Sequence, residues 1–186
     1  LSQATAAITQ NMGIEHTVAP MSDSPVRTIV HSDQGDLAFQ HYFVREGCGP
    51  KVSGFSFDGI ANAKLNPLIR EWLADCDGVI ICPSNPFVSV DPMLHLDGFG
   101  EALKSLPVIA VSPIVGGIAI KGPAAKMMHE LNMPATALAV ADHYQGLIDG
   151  FVVDQTDAAL VEQFNVPTIS TPSVMVTLQD RIDLAR

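Results

Sequence analysis

The chain has 186 residues, of which 47% are hydrophobic and 16% charged, and its 10 Lys/Arg against 20 Asp/Glu give a formal charge of −10. This length and apolar content fit one domain with its own core and argue against disorder. The acidic balance argues against a nucleic-acid partner, and the uncharged apolar stretch 105–120 is too short for a membrane span and is broken by Pro107, Pro113, Gly116 and Gly117.

Three cysteines, Cys48, Cys76 and Cys82, show no C-x-x-C spacing and read as reduced thiols of a cytoplasmic protein. Cys82 closes an apolar run and is expected to be a small buried hydrophobe.

In chain order, Ser2 to Ile8 reads as the body of a helix. A chain that opens this way, on Leu1 rather than Met, is expected to be the later part of a longer protein, with 1–186 forming a single α/β domain. Val26–Val30 predicts a strand, Leu37–Arg45 a helix and Lys51–Phe55 a further strand. This less regular stretch, 21–65, is expected to be a small sub-domain inserted into the main sheet. Asn66-Pro67 has the form of an N-cap followed by proline at the first helical position, with Leu68, Ile69, Trp72 and Leu73 as the apolar face.

Gly78–Cys82 and Pro107–Val111 are continuous apolar runs of strand length, and Gly150–Val153 and Val166–Ile169 are shorter ones. Runs without polar alternation suit a parallel sheet covered on both faces. Between them, Gly122-Pro123 opens a helix that turns Ala124, Met127, Met128 and Leu131 inward. Asp157 is expected to cap a helix carrying Leu160, Val161 and Phe164, and a last helix is expected from Val174. Helices alternating with strands at this spacing predict a mostly parallel sheet.

Two loops leave predicted strands at the edge where α/β sheets bind ligands. Pro83–Ser89 offers Ser84, Asn85 and Ser89 as uncharged donors. Ser112–Gly122 combines Gly116-Gly117, where backbone N–H groups can approach an anion, with Lys121 before a helix. The order is not that of a Walker loop, and composition leaves open the alternative that the glycines only turn the chain while Lys121 is solvated. Arg27, with Thr28 beside it, is a candidate for phosphate or carboxylate recognition, against a local ion pair with Asp23 or Asp36. His143-Tyr144 is a candidate pocket lining, and Asp91, Asp149 and Asp154 are candidate metal ligands that are otherwise solvated acids. No Ser-His-Asp order, carboxylate pair or metal motif is identifiable.

The blocks Met21–Asp23 with Pro25–Thr28, Ile80–Ser89 with Asp91-Pro92, and Val111–Gly117 followed by Lys121–Met128 closely resemble the 2-phospholactate transferase family of coenzyme F-420 biosynthesis. Asp142–Tyr144, Asp149-Gly150 and Asp180-Arg181 add to the likeness, which runs from Met21 onward. The resemblance implies a Rossmann-like, mostly parallel sheet with helices on both faces. It also implies transfer of a 2-phospholactyl group, or a phosphoenolpyruvyl group in bacterial members. The donor is linked to guanosine diphosphate, the acceptor is a hydroxyl of the deazaflavin FO, and GMP leaves, with magnesium required. Carried over by matching position, Ser84, Asn85, Ser89, Gly116, Gly117 and Lys121 are nucleotide contacts, and Arg27 and Thr28 substrate contacts.

Catalytic residues and metal ligands are not identified; the family's Gly-rich start and its acidic residues have no counterpart here. The isolated chain is therefore expected to be inactive, and the protein that contains it a homo-oligomer. The other reading is a nucleotide-sugar-binding regulatory protein related to gluconeogenesis factors. Its counterpart loop is of Gly-Pro-Gly-Ser type, and Ser84-Asn85-Pro86 favours the transferase.

Overall fold

The computed structural model describes residues 1–184. Helix α1 (Ser2–Asn11) buries none of its residues. Strand β1 (Arg27–Ser32) pairs antiparallel with β2 (Gly35–Ala38) on one side and β3 (Val52–Asp58) on the other. The helix expected over Leu37–Arg45 is therefore shortened. Leu37 pairs with Val30 in the sheet, and the helical part is a π-helical turn, His41–Arg45.

Helix α2 (Pro67–Asp75) begins as its sequence predicts, the Leu68 N–H donating to the Asn66 side-chain oxygen at 3.0 Å. Strand β4 (Val79–Ile81) leads into a π-helical turn, Pro86–Val90, that continues as α3 (Asp91–Leu94), and α4 (Phe99–Leu103) follows. After β5 (Val108–Val111) comes a short hairpin of β6 (Ile114–Val115) and β7 (Ile118–Ala119), then α5 (Ala124–Glu130) and α6 (Ala137–His143).

Strand β8 (Gly150–Asp154) runs into a 3-10 helix, Gln155–Gln163, and β9 (Thr168–Thr171) precedes α7 (Leu178–Leu184). That 3-10 helix is capped by Asp154, not by Asp157. Helix α7 starts later than expected because Thr177 and Asp180 form a capping box. Thr177 Oγ1 accepts the Asp180 N–H at 3.2 Å and Asp180 Oδ2 accepts the Thr177 N–H at 2.6 Å.

The main sheet is parallel, in the order β4-β5-β8-β9. Its strands are added in one direction, so right-handed crossovers place their helices over one face. Val108, Ala110, Phe151 and Val153 point into that face and join Leu103, Met127, Met128 and Val140 in the core. Each of these side chains larger than Ala110 contributes about 1.5–3 kcal/mol through burial.

The partners Ile80 and Ile109 share the other face with Ile169, and they remain 70%, 42% and 64% exposed. The parallel α/β sheet is thus as expected, with its helices in these residues gathered on one side. Cys82 departs from its reading for the same reason. It is exposed because it continues the Ile80 side of the strand.

The antiparallel sheet is fastened to the parallel part through α5. Lys126 Nζ donates to the Pro50 carbonyl at 2.9 Å and to Glu130 at 2.6 Å, while Glu130 accepts the Val52 N–H at 3.0 Å. Among the described residues no helix is long and apolar enough to cross a membrane.

Candidate functional site

The carboxyl ends of β4, β5 and β9 open onto one cavity of about 230 Å³. Pro83 and Asn85 come from the loop after β4, Ser112 and Pro113 from the loop after β5, and Ser173, Val174 and Met175 from the segment after β9. Val115, Ile120, Lys121 and Ala124 complete the wall between the hairpin and α5. The space is below the range of about 300–1,000 Å³ usual for whole ligands, so it accepts part of a nucleotide-sized molecule.

Among the described residues no carboxylate lines this cavity, although the protein carries a formal charge of −10. Lys121 supplies its one charge, and among the described residues that ammonium has no hydrogen bond or ion pair. A cation left unpaired in an acid-free recess favours an anionic ligand.

Of the residues singled out in sequence, the cavity wall contains Asn85 and Lys121. Asn85 is chiefly a cap. Its Oδ1 accepts the Phe87 and Val88 N–H groups at 3.0 and 3.4 Å, and its Nδ2 approaches Met127 Sδ at 3.2 Å. Ser84 is half-buried beside it and Ser89 is exposed on the π-helical turn, both outside the lining.

Gly116 and Gly117 also lie outside the lining. They are the two-residue turn of the β6–β7 hairpin, with φ of 57° and 81°. A tight hairpin turn of this kind needs φ > 0 at both positions, which glycine adopts freely. The Gly116 N–H is already donated to Asp157 Oδ2 at 2.9 Å. The two loops do share a recess, whose lining includes Lys121 but not the glycines.

Arg27 and Thr28 line a separate hollow with Phe39, Gln40 and His41, which shares no residue with the cavity. Arg27 has no ion pair among the described residues, because Asp36 bonds His31 Nδ1 at 2.6 Å and Asp23 is taken by Ser2. His143 and Tyr144 line neither space. His143 Nε2 bonds Asp91 Oδ1 at 2.8 Å, edge-on to Phe87, and Tyr144 is buried. Burial, with the nearby Asp91 charge, pushes the Tyr144 phenol well above its ordinary pKa.

The three candidate acids are each engaged in a hydrogen bond and are not gathered around a metal, although Asp149 is also exposed to solvent, as expected. Asp91 holds His143, Asp149 accepts the Val108 N–H at 2.8 Å, and Asp154 is 3% exposed. Among the described residues no group of three or more His, Cys, Asp or Glu could hold a metal ion. With no carboxylate in the cavity wall, these residues do not fit a magnesium site.

Asp154 is the residue that sequence reasoning undervalued. Its Oδ1 accepts from Thr156 N and Oγ1 at 2.9 and 2.7 Å, and its Oδ2 from Ser173 N, Ser173 Oγ and Val174 N at 2.8, 3.0 and 3.3 Å. Burial alone would raise its pKa, but the hydrogen bonds from Thr156 and Ser173 outweigh this and hold it at about 2. Asp followed two residues later by Thr is the local signature of such a turn. Its bond to Ser173 has no sequence signal.

A family model described as 2-phospho-L-lactate transferase CofD matches residues 1–174. The chain is similar to curated 2-phospho-L-lactate transferases: 38% identical to that of Methanosarcina acetivorans over 159 residues, covering 86% of this chain and 52% of the relative. It is 36% identical to that of Methanococcoides burtonii over 189 residues, covering 100% of this chain and 62% of the relative. The chain thus spans between about half and six-tenths of these relatives' length. Among solved structures it resembles a UPF0052-family protein from Bacillus halodurans, with a TM-score of 0.63 at 16% identity, over 99% of this chain and 65% of that one. That likeness is one of fold.

Proposed function

The chain belongs to the 2-phospho-L-lactate transferase CofD family, and we propose that it supplies the nucleotide-binding side of such a transferase. The reaction moves a 2-phospholactyl or phosphoenolpyruvyl group from a guanosine-diphosphate-linked donor to the hydroxyl of the deazaflavin FO. A bond forms between the acceptor oxygen and the donor's terminal phosphorus, the bridging P–O bond breaks, the hydroxyl loses its proton and GMP leaves.

The observation that carries this reading is the acid-free cavity at the carboxyl edge of the sheet, charged by an unpaired Lys121. In phosphoryl-type transfer, positioning and charge neutralisation dominate. Lys121 is suited to neutralise the diphosphate and the charge growing on the leaving phosphate. Ser112, held by its own loop through hydrogen bonds with both backbone groups of Ile114, keeps its own part of the wall in place. Asn85 fixes the direction of the turn that leaves β4.

Among the described residues no carboxylate or histidine lines the cavity to take the acceptor's proton. The chain by itself is therefore proposed to bind the donor nucleotide without turning it over. Magnesium, implied by the resemblance, finds no carboxylate ligand among the described cavity residues. Calorimetry with GDP and a UDP-sugar tests the reading. Preference for GDP is expected, and preference for the UDP-sugar, or heat from neither, overturns it.

A further inference from the structure

Two walls of the cavity are held from outside it by one short piece of chain, the carboxyl end of β8. Asp154 grips the segment after β9 through three donors, the N–H and Oγ of Ser173 and the N–H of Val174, and both of those residues line the cavity. Three residues on, Asp157 grips the hairpin turn through the Gly116 N–H. The Thr156 methyl stands so close that a Cβ on Gly116 would meet it at 3.3 Å. The hairpin leads directly into Ile120 and Lys121, the cationic wall.

Neither carboxylate lines the cavity. Asp154 is 3% exposed, and both of its oxygens are occupied. A buried acid with that many donors, all supplied by its own turn and the cavity wall, fixes the wall's position.

We propose that Asp154 and Asp157 are positioning residues of the ligand cavity, Asp154 setting the Ser173–Val174 wall and Asp157 the hairpin that presents Lys121. The effect of both residues on nucleotide affinity rests on the function proposed above. Asp154→Asn leaves one acceptor oxygen where the carboxylate offers two, so the donors of Thr156, Ser173 and Val174 cannot all be satisfied and the hold on the wall weakens.

The test combines amide hydrogen exchange with calorimetry on the 186-residue chain. Asp154→Asn is expected to speed exchange of the Ser173 and Val174 amides at least about tenfold. It should weaken GDP about tenfold at unchanged binding stoichiometry. Asp157→Ala should weaken GDP by about threefold while leaving the Ser173 and Val174 amides as they were.

A merely structural role predicts the opposite division: fewer competent sites at an unchanged dissociation constant. That result, or unaltered exchange at Ser173 and Val174, overturns the proposal. Should Asp154→Asn fail to fold, Ser173→Ala removes one of the three gripping bonds and is expected to weaken GDP about threefold; unchanged affinity then overturns it. If the unaltered chain binds no GDP, the nucleotide reading falls, and the exchange rates alone decide the role of Asp154.

Discussion

The ionised state of Asp154 makes a prediction that needs no ligand. Its pKa falls from 3.8 to about 2 on folding, which is worth about 2–3 kcal/mol. Because the folded value is the lower one, this stability is fully present above the unfolded pKa of about 3.8. It is lost as the pH falls through about 2. Asp154→Asn removes the titration and leaves the Ser173 and Val174 N–H groups facing an amide.

Urea unfolding at pH 7, 5, 3 and 2 is the assay. At pH 7 the variant should be less stable by about 2 kcal/mol or more, a midpoint about 1 M lower for a typical urea slope. The gap between the two proteins should be constant from pH 7 to pH 5 and then shrink by about 2 kcal/mol by pH 2. A gap that stays the same at all four values would show that Asp154 is not held as an anion by these bonds, and the reasoning would fail.

Lys121→Ala should weaken GDP by about 1–2 kcal/mol with an unchanged melting temperature, since the ammonium has no partner in the protein; an unchanged dissociation constant would return Lys121 to solvent. Gly117→Val should lower unfolding stability by about 1–2 kcal/mol through its φ of 81°, and equal stability by denaturation would contradict the hairpin assignment. Asn85→Ala should cost about 1 kcal/mol as a lost cap, read from the urea midpoint. Maleimide should label Cys82 ahead of the half-buried Cys48 and Cys76, with the reverse order contradicting the bare sheet face.

What could be read from sequence was local. Asn66-Pro67 announces its helix because the cap and the first-turn proline act within three residues, and the structure places both there. The runs 79–81 and 108–111 become neighbouring parallel strands as their unbroken apolar character implies. Gly116-Gly117 carried two signals, a phosphate approach and a hairpin turn. The flanking Ile114-Val115 and Ile118-Ala119 pairs decide for the turn, because they form its ladder.

Partnerships made across the chain were hidden. Asp91 meets His143 at a separation of 52 residues, and Asp154 meets Ser173 at 19, with nothing in either neighbourhood to specify the other. The exposure of Ile80 and Cys82 follows from strand order, which decides the face that receives the helices and which no single strand encodes.

Whether the recess beside Lys121 receives a nucleotide is settled most directly by titrating the isotopically labelled chain with GDP and following its backbone amides by NMR. Saturable shifts centred on Asn85, Ser112, Lys121 and Ser173 are the predicted result. Shifts confined to the hollow around Arg27, or none at all, would contradict the account.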